Sequence, residues 1–558
     1  MRGAEWDEPK MSEINKMKRL GAKVDVAADD PKVAHLKPVE TMWVGRRKLK
    51  SDGALLKLNA RCVLRGDIHG KRYCITDNQK TSPVVTSQSL CCLDAVACLR
   101  EQHFCDYDVP GAYLQGDQLT SEQVLARAPL GFREYDERGV EIMWLMQAPL
   151  YGQLDAGAIW NRTINEFLTG AVGLERCPHD PCVYSKSMGA DRGEDVLTGP
   201  LYVDDGRLYY DHTPAAIAAA DDARKKLTER FGIEFGETDP TSSFFLGANR
   251  IADGRSKCSV RGTSYIDKMI DRYADGDVSI SKRFPAHWSY LPSDDSLTKA
   301  WDTAVATRPN APEELVKRYQ SLFGALLYVV KFRPEVSATL QLCGTCLTFP
   351  TEEMYECLMH CLVYLGRTRN LGINFSKHAP EAGKLRAYAD SNFSITRSVT
   401  GFCVVLAGAS VSHASRRQHC ITMSSCEAEL VALADCAIEL LYVMGVLDFI
   451  GFDITESVEV CTDSKVAYDL CHRFNSAQNS RHVDRKMFKM RELRGASVVT
   501  VRHIPGEENP ADLFTKILTR QPFEKHRKKS MNLTGDTGVE FARRQRVAGG
   551  VLSPADGE

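Results

Sequence analysis

The pattern of apolar and polar positions divides the chain into segments of different type. Residues 215–232 and 312–332 have helical spacing, and in the second segment Leu315, Tyr319, Leu322 and Leu326 form one stripe. Strand-like and helical segments mix between residues 100 and 280. Residues 281–311 are rich in Pro, Ser and Asp, which is typical of a linker. Residues 1–40 are polar and mixed, which predicts a partly disordered lead-in.

From residue 385 the pattern becomes more regular. "KLRAYAD", "GFCVVLAG" and "ASVSHAS" predict three strands, followed by a long helix over 424–450 that ends near Gly451. "SVEVCTDS" predicts a fourth strand, 464–472 a short helix and "SVVTVRHIP" a fifth strand. The predicted order is β-β-β-α-β-α-β, followed by a helical "PADLFTKIL" and a disordered end of about 25 residues. The expected fold class is α/β (α+β).

Composition limits the broad class of protein. A chain of 558 residues predicts three or more domains, and 43% hydrophobic with 26% charged residues is typical of a globular protein. The net charge of −2 requires any nucleic-acid contact to come from local basic patches. No secretory leader and no run of 18 apolar residues is found in the sequence, so we expect an intracellular protein, no membrane and reduced thiols for the 19 cysteines.

Two cysteine groups have zinc-ligand residue types. One contains Cys343, Cys346, Cys357, His360 and Cys361, and it lies in segments that read as apolar helices. Buried free cysteines are common on such helices, so we expect no structural zinc there. The second group, Cys177, His179 and Cys182, lacks a fourth ligand nearby.

Adjacent carboxylates interrupt an apolar, aromatic run in "LYVDDGRLYY", residues 201–210. Asp205 and Gly206 are a good tight-turn pair, so the segment reads as a hairpin. The acids are either ordinary turn residues or metal ligands held at the hairpin tip, and the run alone does not decide between these readings.

Four acidic positions lie at element ends in the C-terminal unit. Asp390 and Asp463 end strands, a Glu lies in the first turns of the long helix, and Asp512 opens the last helix. Acids at such positions also serve as caps, and "SSCE" reads as a capping box that gives Glu427 this role. Glu429 is therefore the better ligand candidate. Hard carboxylate oxygens suit two Mg²⁺ ions that act on a phosphodiester.

The C-terminal segments together resemble the RNase H domain of copia-type LTR retrotransposons. The resemblance is carried by "YADSNF", "SSCEAELVALADC", "VCTDSK", "RHVDRKMFKMRE" and "HIPGEENPADLFTKIL", in that order. It implies cleavage of the RNA strand of an RNA–DNA hybrid, with Asp390, Glu429, Asp463 and Asp512 as metal ligands.

The upstream half resembles the reverse transcriptase of the same family. "DYDVPGAYLQGDQL", "APLYGQLDAGAIW", "LYVDDGRL" and "SSFFLGANRI" follow in family order, and the whole resemblance covers roughly residues 40–530. It implies that Asp108, Asp204 and Asp205 hold two Mg²⁺ ions and that Tyr113 excludes ribonucleotides. A basic stretch at 41–72, which alone reads as a solvated surface, then resembles the fingers hairpin. There Arg61 would bind the incoming triphosphate, helped by Lys48 and Lys50.

The chain departs from the family at three places. Leu154, Asp155, Ala156 and Gly157 replace the usual Lys-Gln-Ala-Pro, and the acid at 155 puts part of the nucleotide binding in doubt. Asn392 stands where the family commonly has a second Asp. No histidine-bearing loop is recognised before Asp512, which implies that an auxiliary proton shuttle is absent.

The resemblance implies the following organisation and function. We expect a right-hand polymerase with fingers and palm (41–280), a linker and thumb- or connection-like helical region (281–380), a mixed-sheet RNase H-like domain (381–518) and a basic, then disordered tail (519–558). The expected activity is RNA- and DNA-dependent DNA synthesis with RNase H, using Mg²⁺ or Mn²⁺. An inactive remnant that only binds nucleic acid, or one that retains RNase H alone, is the alternative.

Expected partners are an RNA template, a DNA primer, an RNA–DNA hybrid and dNTPs. A mobile element would add capsid and integrase proteins and a DNA integration pathway. Such a protein is expected in cytoplasmic virus-like particles or the nucleus.

Overall fold

A computed structural model describes residues 3–49, 55–118, 122–189, 193–308, 311–394, 396–454, 456–472 and 484–533. Its α-helices are α1 (Asp7–Arg19), α2 (Gly66–Tyr73), α3 (Asp77–Lys80), α4 (Ser87–Arg100), α5 (Ala156–Glu166), α6 (Pro214–Phe231), α7 (Thr263–Tyr273), α8 (Asp294–Ala306), α9 (Glu313–Val329), α10 (Ser337–Cys343), α11 (Glu352–Arg367), α12 (Ser425–Phe449), α13 (Lys465–His472), α14 (Asp484–Gly495) and α15 (Arg520–Met531).

The strands are β1 (Lys23–Ala27), β2 (Val39–Leu49), β3 (Leu55–Leu64), β4 (His103–Asp108), β5 (Leu125–Arg127), β6 (Glu134–Tyr135), β7 (Glu141–Met146), β8 (Glu175–Arg176), β9 (Val183–Ser187), β10 (Val196–Tyr202), β11 (Asp205–Tyr210), β12 (Glu234–Phe235), β13 (Ser242–Phe245), β14 (Ala248–Ala252), β15 (Lys257–Arg261), β16 (Gly372–Ser376), β17 (Arg386–Asn392), β18 (Val399–Leu406), β19 (Ala409–Arg417), β20 (Val458–Thr462) and β21 (Val499–His503). The predicted α/β class with mixed sheets is confirmed.

The first sheet has the strand order β1-β7-β5-β2-β3, and β6 pairs with β7. Residues expected to form a lead-in are part of this unit. Helix α1 buries Ile14 and Met17 and packs on β3, and β1 pairs with β7 along its whole length. The apolar stripe of α1 is only two turns long within a polar sequence, which is why composition alone suggests disorder.

The second sheet has the order β12-β4-β11-β10-β9-β8. Strands β10 and β11 form the predicted hairpin, but Tyr202 pairs with Asp205, so the turn consists of Val203 and Asp204. The expected Asp205-Gly206 turn is therefore wrong by two residues. Gly206 lies inside β11, where a Cβ atom would overlap the ring of Tyr107 on β4.

A third sheet, β13-β14-β15-β16, joins distant parts of the chain. Strand β16 follows the helices α8 to α11 yet pairs with β15 over its five residues. The segment expected to be a linker contains α8, whose Leu297, Ala300 and Ala304 are buried. The helical region is thus enclosed between two strands of one sheet.

The fourth sheet has the order β19-β18-β17-β20-β21, with β17, β20 and β21 parallel. Its elements follow the predicted order, with α14 as an additional helix before β21. Helix α15, in the segment expected to be a tail, contributes the buried Phe523 and Met531. The end predicted to be disordered, 534–558, lies outside the described residues.

Helix α12 is the most apolar long element of the described chain. By length and composition it could cross a membrane, with a hydropathy of 2.1 over its most apolar window, a feature that the sequence analysis had not expected. Of that window 61% is buried, against β17, β18 and α4 among others. Packing inside the protein accounts for its apolar character.

Two parts of the chain, a polymerase-like part before β17 and a nuclease-like part from β17 onward, share the largest hydrophobic cluster, whereas the first sheet and much of the second sheet have clusters of their own. The largest cluster of buried apolar residues includes Leu93 of α4, Leu358 of α11, Phe402 of β18 and Leu440 of α12. Polar contacts reinforce this junction, because the Tyr442 hydroxyl lies 2.8 Å from Thr86 Oγ1 and 2.9 Å from Ser89 Oγ. The two parts are therefore packed as one body.

Candidate active sites

The first acidic cluster consists of Asp108, Asp204 and Asp205 at the end of the second sheet. Asp108 is the last residue of β4 and lies directly opposite Asp205, the first residue of β11. Asp204 occupies the turn, and its carbonyl oxygen accepts a hydrogen bond of 2.8 Å from the Val109 N–H. The three predicted acids are thus brought together from segments a hundred residues apart.

Electrostatics at this cluster favour a bound cation. Carboxylates directly opposite each other in antiparallel strands repel. Burial raises the pKa of Asp205 to about 6, and the charges of Asp204 and Asp108 add to the rise. Two residues further from the tip the pattern reverses, because Arg207 lies opposite Asp106 and donates a 3.0 Å hydrogen bond to its Oδ2. The excess negative charge is confined to the open end of the sheet.

The hairpin tip is held in a strained conformation. Val203 has a φ of 57°, in the left-handed region that β-branched residues rarely adopt. The indole N–H of Trp160 donates a 2.6 Å hydrogen bond to the Val203 carbonyl oxygen, and Trp160 itself is fully buried. A contact of this kind stabilises the tip against relaxation and fixes the direction of the neighbouring acids.

A row of side chains leads from the acids to the β2–β3 hairpin. Tyr113 lies on a short 3-10 helix (Ala112–Gln115), and its ring centroid is 5.5 Å from that of Tyr151. The Arg61 guanidinium lies over the Tyr151 ring, 4.6 Å from its centroid. Burial raises the pKa of Tyr113, and the charge of Asp204 contributes to the rise.

Tyr113 and Arg61 were predicted as site residues from the sequence, whereas Tyr151 was not. Tyr151 lies within the quoted "APLYGQLD", and the signal for it was an aromatic residue beside Gly152 in a family motif. Lys48 lies near the end of β2 in register with Lys57, and Lys50 lies outside the described residues.

Asp155 is buried at the N-terminus of α5. It is 5% exposed, and its charge partly opposes the burial that lowers the pKa of His69. An acid at a helix N-terminus is favoured by the helix dipole. Its side chain makes no capping hydrogen bond, however, and its Oδ1 is buried without a hydrogen-bond partner.

The second acidic cluster consists of Asp390 on β17, Glu429 on α12 and Asp463 after β20. One ligand oxygen from each lies within 4.8 Å of the others, and this is the one group of three or more potential ligands that meets this distance in the described part of the chain. Burial raises the pKa of Glu429 to about 8, and the charge of Asp390 adds to it. Burial likewise raises the pKa of Asp390 to about 7, although Lys516 lowers it. Such a set of carboxylate oxygens, from one buried and two half-buried residues, fits a divalent cation.

Neighbouring polar groups orient these carboxylates. The Ser391 hydroxyl donates a 2.9 Å hydrogen bond to Glu429 Oε1, while Glu429 Oε2 is buried without a hydrogen-bond partner. Asn509 Nδ2 donates to Asp463 Oδ1 at 3.3 Å, and the Thr515 hydroxyl donates to Asp390 Oδ2. The unpartnered oxygen of Glu429 is the donor most available to a metal.

The two glutamates in the first turns of α12 have different roles. Glu427 Oε2 accepts a 2.6 Å hydrogen bond from the Met423 N–H, and its own N–H donates to Ser424 Oγ. Only half of the predicted capping box forms, because Ser424 caps the Glu427 N–H while the Glu427 carboxylate binds the N–H of Met423, one residue before the N-cap. Glu429, one half-turn further along, is the glutamate that reaches the cluster.

Asp512 is separated from the second cluster by a lysine. Lys516 Nζ lies 2.6 Å from Asp512 Oδ1 and 3.3 Å from Asp390 Oδ2. Lys516 was not singled out from the sequence, and it places a fixed positive charge between two predicted ligands. Asn392, the other departure, uses its side-chain N–H to bind the Thr515 carbonyl oxygen at 3.2 Å.

A histidine overlooked in the sequence lies beside the second cluster. His503, the last residue of β21, is exposed, and its Nε2 is 3.1 Å from the carbonyl oxygen of Asp463. His503 lies on a strand and not in a loop, so the expectation that no histidine-bearing loop precedes Asp512 stays a prediction. The signal for His503 was present in "RHIPGEENPAD", where the strand pattern continued through the histidine and concealed it.

The cysteine groups lie away from both clusters. Burial raises the thiol pKa of Cys357 to about 12, and burial lowers the pKa of His360 to about 4. The His360 ring stacks on Trp288 at a centroid distance of 4.8 Å. In the second group, Cys177 and Cys182 are buried, and His179 lies against Gly445 of α12.

Comparison with known proteins agrees with the first acidic cluster. Residues 26–280, which contain that cluster and the aromatic row, match the family described as "Reverse transcriptase (RNA-dependent DNA polymerase)". This region is similar to the reverse transcriptase family along that whole range. The match begins within β1 and ends after α7, so the reverse transcriptase region includes the first two sheets.

The chain is also similar to Pol polyproteins of copia-type retrotransposons. It is 26% identical over 495 residues to the Retrovirus-related Pol polyprotein from transposon TNT 1-94 of Nicotiana tabacum, covering 88% of this chain and 35% of that protein. It is 26% identical to the polyprotein from transposon RE1 of Arabidopsis thaliana, over 88% of this chain and 32% of that protein. The chain thus spans about a third of the length of these relatives.

Among solved structures, a foamy viral protease-reverse transcriptase in complex with dsDNA is similar. The TM-score is 0.46 and the identity 11%, over 90% of this chain and 70% of that one.

Proposed function

We propose that this chain is an RNA- and DNA-directed DNA polymerase with RNase H activity, derived from a copia-type retrotransposon. The polymerase proposal rests on one arrangement of side chains. Asp108 and Asp205 face each other at the open end of β4 and β11, and the row of Tyr113, Tyr151 and Arg61 continues from them. The proposed substrates are an RNA or DNA template, a DNA primer and dNTPs. If the element is mobile, capsid and integrase proteins are further partners.

In the proposed reaction the primer 3′-oxygen attacks the α-phosphorus of a dNTP, the bond to the bridging oxygen breaks, and pyrophosphate leaves. Asp108, Asp204 and Asp205 would hold Mg²⁺ ions, which lower the pKa of the primer hydroxyl and neutralise the phosphates when bound. The planar guanidinium of Arg61 binds phosphate oxygens in a forked geometry. The Tyr113 ring fills the space that a ribose 2′-hydroxyl would require.

Primer extension on poly(rA)–oligo(dT) with Mg²⁺ and dTTP tests the polymerase proposal. The full chain should incorporate dTTP, and Asp204→Asn should reduce incorporation by about a thousandfold or more, as expected for loss of charge stabilisation in the transition state. Tyr113→Ala should retain dTTP incorporation and gain incorporation of UTP. No incorporation by soluble, folded protein would contradict the proposal and favour an inactive remnant.

RNase H activity is supported by a different observation, the meeting of Asp390, Glu429 and Asp463 in the second cluster. These carboxylates would hold the divalent ions, and the exposed His503 lies beside Asp463. Degradation of a labelled RNA–DNA hybrid in the absence of dNTPs tests this activity. It should be lost in Asp463→Asn and retained in Asp204→Asn, and cleavage by Asp463→Asn equal to the wild type would contradict it.

A further inference from the structure

Helix α1 contributes two charged side chains to the first cleft. Glu13 and Lys16 lie one turn apart on the face that packs against β3, the strand that carries Arg61. None of the sequence motifs or family residues considered above includes them, since residues 1–40 read as a lead-in. The packing of α1 on β3 makes both residues part of the wall beside Arg61.

The Lys16 ammonium lies against the backbone of Gly111, between Asp108 and Tyr113 in the chain. A Cβ atom at Gly111 would overlap both Nζ and Cε of Lys16. The side chain is half-buried, and the charges of Glu13, Arg61 and Asp108 all act on it. No hydrogen bond from this ammonium is found within the described part of the chain, and an ammonium has three N–H groups with which to bind a ligand.

Glu13 lies behind the two cations. It is 9% exposed, and its Oε1 atom is buried without a hydrogen-bond partner. Burial raises the pKa of Glu13, while the charges of Lys16 and Arg61 and the Cys62 N–H lower it. A carboxylate that is this buried is costly unless cations compensate it, and the charges of Lys16 and Arg61 supply this compensation.

Two cations that converge on the same wall fit a ligand with several negative charges. Arg61 is already fixed on one side by the Tyr151 ring, and Lys16 lies next to the loop that follows Asp108. A nucleoside triphosphate keeps net negative charge even with a divalent ion bound, and it is long enough to contact both side chains.

We propose that Lys16 binds the triphosphate of the incoming dNTP and that Glu13 is a positioning residue that holds Lys16 and Arg61 for this contact. The inference rests on the proposed polymerase function. A role limited to balancing the charge of Asp108 would leave nucleotide affinity unchanged.

Equilibrium binding of dTTP tests the inference without requiring incorporation. The full chain is bound to poly(rA)–oligo(dT) with a dideoxy-terminated primer, and the dTTP concentration that stabilises the complex against competitor DNA gives the Kd. Lys16→Met should weaken dTTP binding about tenfold or more, because a charge-assisted hydrogen bond is lost. Lys16→Arg should restore most of the affinity, and Glu13→Gln should weaken it while leaving Arg61 intact.

Lys18→Met is the matched control, since Lys18 lies on the same helix and is exposed. It should leave the Kd for dTTP unchanged, and all variants should keep the template–primer affinity and thermal midpoint of the wild type. If the wild type binds dTTP and Lys16→Met binds it with the same Kd, the inference about Lys16 is overturned and the polymerase proposal is not affected. Absence of dTTP binding by the wild type would overturn the polymerase proposal and the inference together.

Discussion

The buried arginines behind the first cluster and the carboxylates of the second cluster differ in one respect. The protein supplies opposite charges for the arginines and only one for the carboxylates. Behind the first cluster, Arg207 is 1% exposed and contacts Asp106, and Arg250 donates a 2.9 Å hydrogen bond to the buried Asp94. This network is internally compensated. At the second cluster, Asp390, Glu429 and Asp463 have one neighbouring cation, Lys516, for three carboxylates. The first arrangement stabilises the fold, and the second leaves negative charge that a divalent cation would compensate.

Removal of Arg207 should therefore destabilise the protein strongly. Arg207→Met leaves Asp106 without its partner and one buried charge uncompensated, which should lower the free energy of unfolding by about 3–5 kcal/mol. Arg230→Met is the control, because its pair with Asp117 is exposed and should change stability by only about 0–1 kcal/mol. Urea denaturation measures both changes. Equal effects would contradict the assignment of a buried network.

The raised pKa values at the second cluster predict how stability depends on pH in metal-free protein. The pKa of Glu429 is about 8 and that of Asp390 about 7 in the folded state, whereas both are near 4 when unfolded. Between about pH 4 and pH 8 the folded state binds more protons than the unfolded state. The stability that protonated Glu429 and Asp390 contribute is therefore fully present at low pH and is lost as the pH rises through 7 to 8.

Thermal unfolding in EDTA at pH 5 and at pH 8 measures this dependence. The melting temperature should fall more between these pH values in the wild type than in Glu429→Gln. Mg²⁺ or Mn²⁺ should restore the wild type at pH 8 and have little effect on Glu429→Gln. The same pH dependence in both proteins would contradict the described electrostatics.

At the scale of elements, the β10–β11 hairpin links backbone strain to site geometry. Tyr107 crosses Gly206 on the neighbouring strand, an arrangement in which an aromatic ring covers a strand glycine. Val203, not the Asp-Gly pair, occupies the positive-φ turn. Turn propensity alone therefore misplaced the tip, because a cross-strand contact with Tyr107 requires Gly206 within the strand.

Gly206→Ala should disturb this hairpin. The added Cβ atom overlaps the buried Tyr107 ring, and overpacking of this kind should cost about 1–3 kcal/mol. In a Tyr107→Leu background the same substitution should cost less, since the shorter side chain leaves room. A double-mutant cycle from thermal unfolding measures the difference, and an equal cost in both backgrounds would contradict the described contact.

Sequence patterns predicted elements well where the pattern was long. The order of strands and helices after residue 385 was predicted because alternation and a 25-residue apolar helix are strong signals. The sequence did not predict helices α1, α8 and α15, because the buried apolar stripe of each is short and lies within a polar segment. The acids of both clusters were found from motifs. Tyr151, Lys516 and His503 lie within the quoted motifs, but their contacts with distant segments are not visible in a local pattern, and Lys16 lies outside every quoted motif.

At the scale of the whole molecule, the shared core predicts a single unfolding event. Helix α4 is buried almost all round, between the second sheet, β19 and α12. All six tryptophans lie at or before residue 301, so their fluorescence reports only the polymerase-like part. Hydrogen exchange of peptides from α12 reports the nuclease-like part.

Both signals should change together on heating. Tryptophan fluorescence and loss of exchange protection in α12 should share one midpoint, as expected when one cooperative core unfolds. Tyr442→Ala removes the polar contacts of α12 with Thr86 and Ser89 and should lower that common midpoint. Two well-separated midpoints in the wild type would contradict the shared core.

The central claim is that one chain carries two separate acidic sites for DNA synthesis and RNA cleavage. The most direct test uses a single substrate, a labelled DNA primer on a differently labelled RNA template, with Mg²⁺ and dNTPs. The wild type should extend the DNA and cleave the RNA, Asp204→Asn should lose extension and keep cleavage, and Asp463→Asn should lose cleavage and keep extension. The claim would be contradicted if both variants kept both activities, or if the folded wild-type protein had neither activity.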